Sequence, residues 1–154
     1  MTQAVIRGVG LAAAMLLLAA PVALAGGRSF CERGEVTVEE ALYSVRLRVE
    51  QSSLTTGELA LARVENHGTE LIQFGRAYAV QRFSDGSWEE APGSPDGPWF
   101  MDLQSLRSGI SSACMRYRVP ADATPGWYRF VKTTTSVSGR DTARSLRAPF
   151  RVTG

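Results

Sequence analysis

From Tyr43 onward, apolar and polar residues alternate in short runs that turn-forming residues interrupt about every 8–12 positions. Few architectures accept that pattern. Tyr43, Val45, Leu47 and Val49 alternate with Ser44, Arg46, Arg48 and Glu50, and a period of two marks a strand with one face buried and the other in water. Ser52, Ser53, Thr55, Thr56 and Gly57 turn the chain. Residues 59–65 form a second strand, ended by Asn66-His67-Gly68. Residues 71–74 are apolar and β-prone up to Gly75. Tyr78, Val80 and Arg82 share one face of the next run, which Phe83 closes. Ser84-Asp85-Gly86-Ser87 predicts a hairpin, because Asp-Gly tolerates the positive φ that a type I′ turn requires at both central positions. Trp88 begins the returning strand.

Residues 91–98 (APGSPDGP) are loop by composition. Trp99, Phe100, Met101, Leu103 and Leu106 follow, and their apolarity predicts a single turn or tucked segment that closes one end of the core. Gly109 introduces a strand over residues 110–119, ended by Pro120. Thr124-Pro125-Gly126 is a turn, residues 127–137 are a strand rich in aromatic and β-branched residues, Ser138-Gly139-Arg140-Asp141 turns again, and residues 148–153 close the domain. About seven short strands with no helical period describe an all-β, antiparallel sandwich. The run before them, residues 35–42 (EVTVEEAL), fits either a short strand or one helical turn opened by Thr37 with Glu40 three positions on.

The first 25 residues have a different character. Arg7 supplies a positive end, residues 11–20 are purely apolar, Pro21 breaks the run, and Ala23-Leu24-Ala25 places small residues at a cleavage point before Gly26. This is the layout of a secretory signal peptide. Its apolar stretch is shorter than the roughly 20 residues of a membrane anchor. The expected organisation is therefore a signal peptide over 1–25, a lead-in over 26–42 and a sandwich domain over 43–154, secreted to the periplasm or outside the cell with no membrane span after cleavage.

An oxidising compartment gives the two cysteines a role. Cys31 and Cys114 are the whole complement, and two cysteines in one exported chain usually pair. That bridge, read from compartment and count alone, ties the lead-in to the second half of the domain. Charge gives less direction: 17 basic and 15 acidic residues nearly balance and exert no global pull toward nucleic acid. Of the basic residues only Lys132 is lysine. An arginine excess suits phosphate or carboxylate recognition, and it is also what the codons of a GC-rich genome spell.

Several stretches together carry a family likeness: Val64-Glu65-Asn66, Phe74-Gly75 with Tyr78, the Asp85-Gly86-Ser87-Trp88 hairpin, Leu106 with Gly109, Pro125-Gly126-Trp127-Tyr128-Arg129-Phe130-Val131-Lys132, and Ala148-Pro149-Phe150-Arg151-Val152. In order and spacing these resemble the bacterial immunoglobulin-like domains of exported proteins of unknown role, over residues 43–153. The resemblance implies an immunoglobulin-like β-sandwich and carries over no catalytic residue. Cys31 and Cys114 are not part of the family pattern, nor do they reproduce the Cys…Trp…Cys arrangement of antibody domains.

Within that frame, Trp88 and Trp127 flank tight turns, where a ring entering the core would pin the hairpin. Tyr128 and Phe130 are assigned to the core, which leaves Arg129 on the solvent side opposite a carboxylate. Asn66 is expected to bond its local backbone. His67, the one histidine, is expected as a solvated turn residue. A hydrolase would need it beside a serine hydroxyl, and no G-x-S-x-G elbow is present. No N/S cluster suggests a metal or cofactor. Asp85, Asp96 and Asp102 lack the spacing of a dedicated calcium loop, and Glu39-Glu40 and Glu89-Glu90, as strand neighbours, point to opposite faces. Two contact surfaces remain. Arg46 and Arg48 on one strand, with Arg116 and Arg118 on another, would line one outer face if their strands share a sheet. Trp99 and Phe100 beside prolines would grip a sugar or protein, or plug the sandwich. The expectation is a non-catalytic binding or structural module of the cell envelope, its partner an envelope protein or glycan. The alternatives are a secreted inhibitor presenting loop 92–101 and a small hydrolase using His67.

Overall fold

The alternation read from the sequence becomes two layers in the computed structural model, which describes residues 29–39, 44–97, 102–137 and 143–154. The expected signal peptide, the stretch 40–43 between lead-in and first strand, Trp99 and Phe100, and the turn at 138–141 lie outside the described residues. Ten strands are described: β1 (Val45–Val49), β2 (Ser53–Thr55), β3 (Leu59–Asn66), β4 (Ile72–Phe74), β5 (Ala79–Ser84), β6 (Ser87–Glu90), β7 (Gln104–Leu106), β8 (Met115–Arg118), β9 (Gly126–Ser136) and β10 (Ala143–Thr153). One sheet has the order β1-β3-β8. The other runs β2-β10-β9-β4-β7, with the β5-β6 hairpin also joined to β9. The stretch 52–57, expected to turn the chain, contains the short strand β2, and β7 is a further three-residue piece; β4 occupies the expected run 71–74, and the closing strand β10 starts at Ala143, ahead of the expected 148. Pairing is antiparallel except where β2 lies parallel to β10.

The long strand β9 organises the core. Tyr128, Phe130, Lys132, Thr134 and Ser136 face inward along it, as the assignment of Tyr128 and Phe130 required. Phe150 on β10 packs against Tyr117, Tyr128 and Phe130 with ring centroids 5.6 to 6.4 Å apart. Each such fully buried side chain contributes about 1.5–3 kcal/mol. The polar tips of the two tyrosines are satisfied at the margin: Tyr117 donates to the Pro92 carbonyl and Tyr128 to the Thr124 carbonyl. From the opposite sheet Ala60, Ala62, Val64 and Met115 close the core.

Parity along β9 also corrects the expectation for the tryptophans. With Tyr128 and Phe130 inside, Trp127 and Arg129 must face out, and Trp127 is 51 % exposed. Trp88 sits on that same outer face, 5.2 Å from the Phe83 ring and under the Arg129 guanidinium at 4.0 Å. The hairpin is thus pinned by a stack on its outside. Arg129 bonds Gln81 rather than a carboxylate. Asp85 and Gly86 have φ of 49° and 82°, the left-handed pair expected of Asp-Gly. Gly86→Ala is expected to cost about 1–2 kcal/mol, the penalty of a side chain in that region. A lowered denaturation midpoint at unchanged m would show it.

Two further segments differ from the reading. The strand expected over 110–119 is interrupted, because Ser111 and Ser112 turn their hydroxyls to the backbone of Gly34 and Val64; only β8 and single bridges at Ile110 and Ser111 remain. Of the segment expected to tuck in after the proline-rich loop, residues 98–101 lie outside the described residues; its remainder forms β7, with Leu106 buried and Leu103 exposed. Asn66 does more than shape its turn: its amide donates to the Glu70 and Leu106 carbonyls, so it also fastens β7.

Candidate functional site

The outer face of the three-stranded sheet is built by the same alternation that fills the core. Val45, Leu47 and Val49 of β1 pack inward, so Arg46 and Arg48 point outward. On β8, Met115 and Tyr117 are buried, so Arg116 and Arg118 are exposed. Because β3 lies between these strands, all four arginines share one face, with Arg63 of β3 among them. The register sets Arg46 opposite Glu65 and Arg48 opposite Arg63, and Arg116 and Arg118 opposite Leu61 and Leu59.

The two ends of this face differ. At the β1 end the lead-in crosses it, held by the Cys31–Cys114 disulfide, which spans 83 positions with a Cα–Cα distance of 4.9 Å. Phe30 stacks on the Arg63 guanidinium at 4.5 Å and lies 5.9 Å from that of Arg48. Arg63 also donates to the Phe30 carbonyl at 2.9 Å. Glu39 pairs with Arg46. Further along, Val36 donates to Gly109 and Ser111 donates to Gly34. At the β8 end Arg118 donates to the Gly57 carbonyl, and both arginines reach solvent.

Beneath the lead-in sits a charge cluster that the sequence reading did not assemble. Glu65 is 3 % exposed. Its carboxylate accepts two bonds from Arg63 at 2.6 and 2.8 Å and one from His67 at 2.9 Å, with Arg48 at 3.5 Å. Burial pushes the Glu65 carboxyl upward, but the bonds from His67 and Arg63 and the charges of Arg63 and Arg48 outweigh it, so the group lies below the usual carboxylate range. His67 is not the solvated turn residue expected. Its Nδ1 meets the Thr37 carbonyl at 2.8 Å while Nε2 meets Glu65, because β3 runs on to Asn66 and carries the ring under the lead-in. Both partners accept, so the two bonds coexist only when both ring nitrogens carry protons. Among the described residues the ring nitrogens bond these two groups and no serine hydroxyl.

Beside Arg46 and Arg48 a groove of about 440 Å³ opens, lined also by Glu65, His67, Leu47 and Pro149. It presents two half-exposed guanidiniums over an apolar floor, Arg46 paired with Glu39 and Arg48 facing Glu65. The other candidate surface is only partly described. The first half of loop 92–101 is pinned to the body: Ser94 is buried, its hydroxyl accepts from the Val80 amide, and the Pro92 carbonyl accepts from Tyr117. Trp99 and Phe100 lie outside the described residues. Among the described residues no three His, Cys, Asp or Glu side chains converge as a metal cage would require. Asp102 is paired instead with Arg76.

A family model described as a bacterial Ig-like domain matches residues 41–150. Several solved structures are similar. The sporulation control protein Spo0M of Bacillus subtilis is 15 % identical with a TM-score of 0.42, covering 71 % of this chain and 49 % of its own. The chain thus spans about half that protein's length. The ASH / PapD-like domain of human CEP192 is 15 % identical with a TM-score of 0.41, covering 71 % of this chain and 84 % of its own. A family 123 glycoside hydrolase from Clostridium perfringens is 10 % identical with a TM-score of 0.42, covering 70 % of this chain and 27 % of its own. No curated protein matches the chain.

Proposed function

This chain belongs to the bacterial Ig-like domain family, and we propose that it is an exported, non-catalytic module whose arginine face binds an anionic polymer of the cell envelope. In this reading residues 1–25 are a signal peptide removed on export, 26–42 a lead-in and 43–154 the binding domain. The Cys31–Cys114 bridge suits an oxidising compartment, and the domain works without a cofactor.

One observation carries the reading. Arg46, Arg48, Arg116 and Arg118 come from strands separated by β3 and yet are exposed on a single face, with the groove at one end. Guanidinium forks at strand spacing can engage successive carboxylates or phosphates along a chain-like ligand, each contact shedding counterions.

Polyphosphate and polygalacturonate serve as probes. Changing all four arginines to Ser is expected to weaken binding at least tenfold at low ionic strength and to flatten its salt dependence, as measured by titration calorimetry across a salt series. Equal affinity of the variant and the parent protein at low salt would overturn the proposal. So would a failure of both polymers to bind the parent protein at low salt, or a whole-envelope extract that displaces neither of them.

A further inference from the structure

Lys132 is the only lysine of the chain, and it is 3 % exposed on the inward face of β9. Its place follows from a gap in the sheet. β4 pairs with β9 at Thr135 and Ser136, and β5 pairs with it from Tyr128 to Val131, so the connecting residues 75–78 bow away from the strand between these two contacts. Their carbonyls have lost the ladder, and the Lys132 ammonium takes them up, donating to Gly75 and to Ala77, the latter at 2.7 Å. The Phe74 ring lies 5.1 Å from the same nitrogen. An ammonium has three donors, and two are accounted for. Among the described residues no carboxylate lies within ion-pair distance of it.

Beside this group is a cavity of about 230 Å³ at the flank where the two sheets come together. Val64 and Met115 line it from one sheet, Phe74, Gln104 and Lys132 from the other, and Tyr78 from the crossing segment. The Tyr78 hydroxyl holds that segment against β8 by donating to the Arg116 carbonyl at 2.6 Å and accepting from the Arg116 amide at 3.1 Å. The walls are mainly apolar; Lys132 and Gln104 supply the polar groups on the side of β9 and β7, Ser112 one near β8, and Arg76 a second cation at the rim.

We propose that this cavity is a binding site for a small apolar carboxylate, its anionic end held by Lys132 and Gln104 and its hydrocarbon end against Val64, Phe74 and Met115. A buried cation with no counter-ion is costly unless an anion joins it, and burial alone pushes this amine down to about 8. A single cation matches a monoanion; Arg76, also at the rim, is committed to Asp102, so a phosphate dianion would be undercompensated. The volume admits about seven non-hydrogen atoms at roughly 30 Å³ each, the liquid share of a water, which is the size of a five-carbon acid.

The sole lysine makes the test direct, since protein labelled only in lysine yields one side-chain amine signal. Isovalerate is the probe, isovaleramide its neutral isostere, and propionate and hexanoate bracket the size. Isovalerate is expected to bind with a Kd of about 1 mM or tighter and, at saturation, to raise the Lys132 titration midpoint by a pH unit or more. The amide is expected to bind at least tenfold more weakly and to leave the midpoint in place, and Lys132→Met to abolish isovalerate binding. Equal binding of acid and amide would reduce the cavity to an apolar void and overturn the proposal. So would undiminished binding by Lys132→Met, or no binding of any of the three acids at 50 mM, a ceiling about fifty times the expected Kd. Should the variant fail to fold, the comparison of acid with amide on the parent protein decides alone.

Discussion

Glu65→Gln is expected to destabilise the domain by about 3–5 kcal/mol at neutral pH, the usual consequence of removing one partner from a buried ionic cluster. Arg63 would keep its place under Phe30 with its charge uncompensated, and His67 would lose the acceptor that its Nε2 now meets. The amide retains the shape and one oxygen, so the loss reports charge rather than packing. A pH dependence comes with it. The folded-state pKa of Glu65 lies below its ordinary value of 4.5; its contribution is therefore fully present above that value and is lost as pH falls through the lower, folded one. Denaturant titrations of both proteins from pH 3 to pH 7 should show curves that converge on the acid side. A cost under about 0.5 kcal/mol at pH 7, the range of an ordinary surface change, would mean the cluster is no more than a surface ion pair.

Breaking the disulfide should have an effect of similar size. Replacing Cys31 and Cys114 with Ser releases a loop of 83 positions, for which chain entropy alone predicts about 4–5 kcal/mol and common experience about 2–4. The loss should be local as well as global. The lead-in is otherwise held by a few hydrogen bonds, among them Val36 to Gly109, Ser111 to Gly34 and His67 to Thr37. Amide exchange at Val36 and Ser111 should accelerate more than exchange within β9. Parent protein under reductant should behave like the double variant. If equilibrium unfolding shifts by less than about 1 kcal/mol, well below the usual range, the lead-in is anchored by its other contacts. The two experiments are linked, because the lead-in is what covers Glu65; the exposed Arg116 and Arg118 should be indifferent to both.

Much of the fold could be read from residue order. Tyr128 and Phe130 were placed inside because the strand's parity leaves one other choice, and Asp85-Gly86 marked its hairpin because few residues adopt positive φ. Alternation alone puts Arg46 with Arg48 and Arg116 with Arg118; that the two pairs share a face comes from the register, with β3 between their strands. Other residues mislead for identifiable physical reasons. His67 looked like a turn residue because Asn and Gly flank it, while its burial depends on a lead-in 30 positions earlier. Ser111 and Ser112 looked like strand residues because nothing nearby shows that their hydroxyls bond distant backbone. The burial of Lys132 is legible in the sequence, because the parity that buries Tyr128 and Phe130 buries it too.

By itself, then, the order of side chains determined which residues share a strand face, where the chain reverses, and that the outcome is a layered all-β domain, since period and turn chemistry are properties of neighbouring residues. Only the tertiary structure decided that β1 and β8 flank the same strand, that Glu65 and His67 lie beneath the lead-in, and that a lone ammonium borders a cavity. Those outcomes depend on which strand comes to lie beside which and on what covers the exposed face, and local alternation carries no information about either.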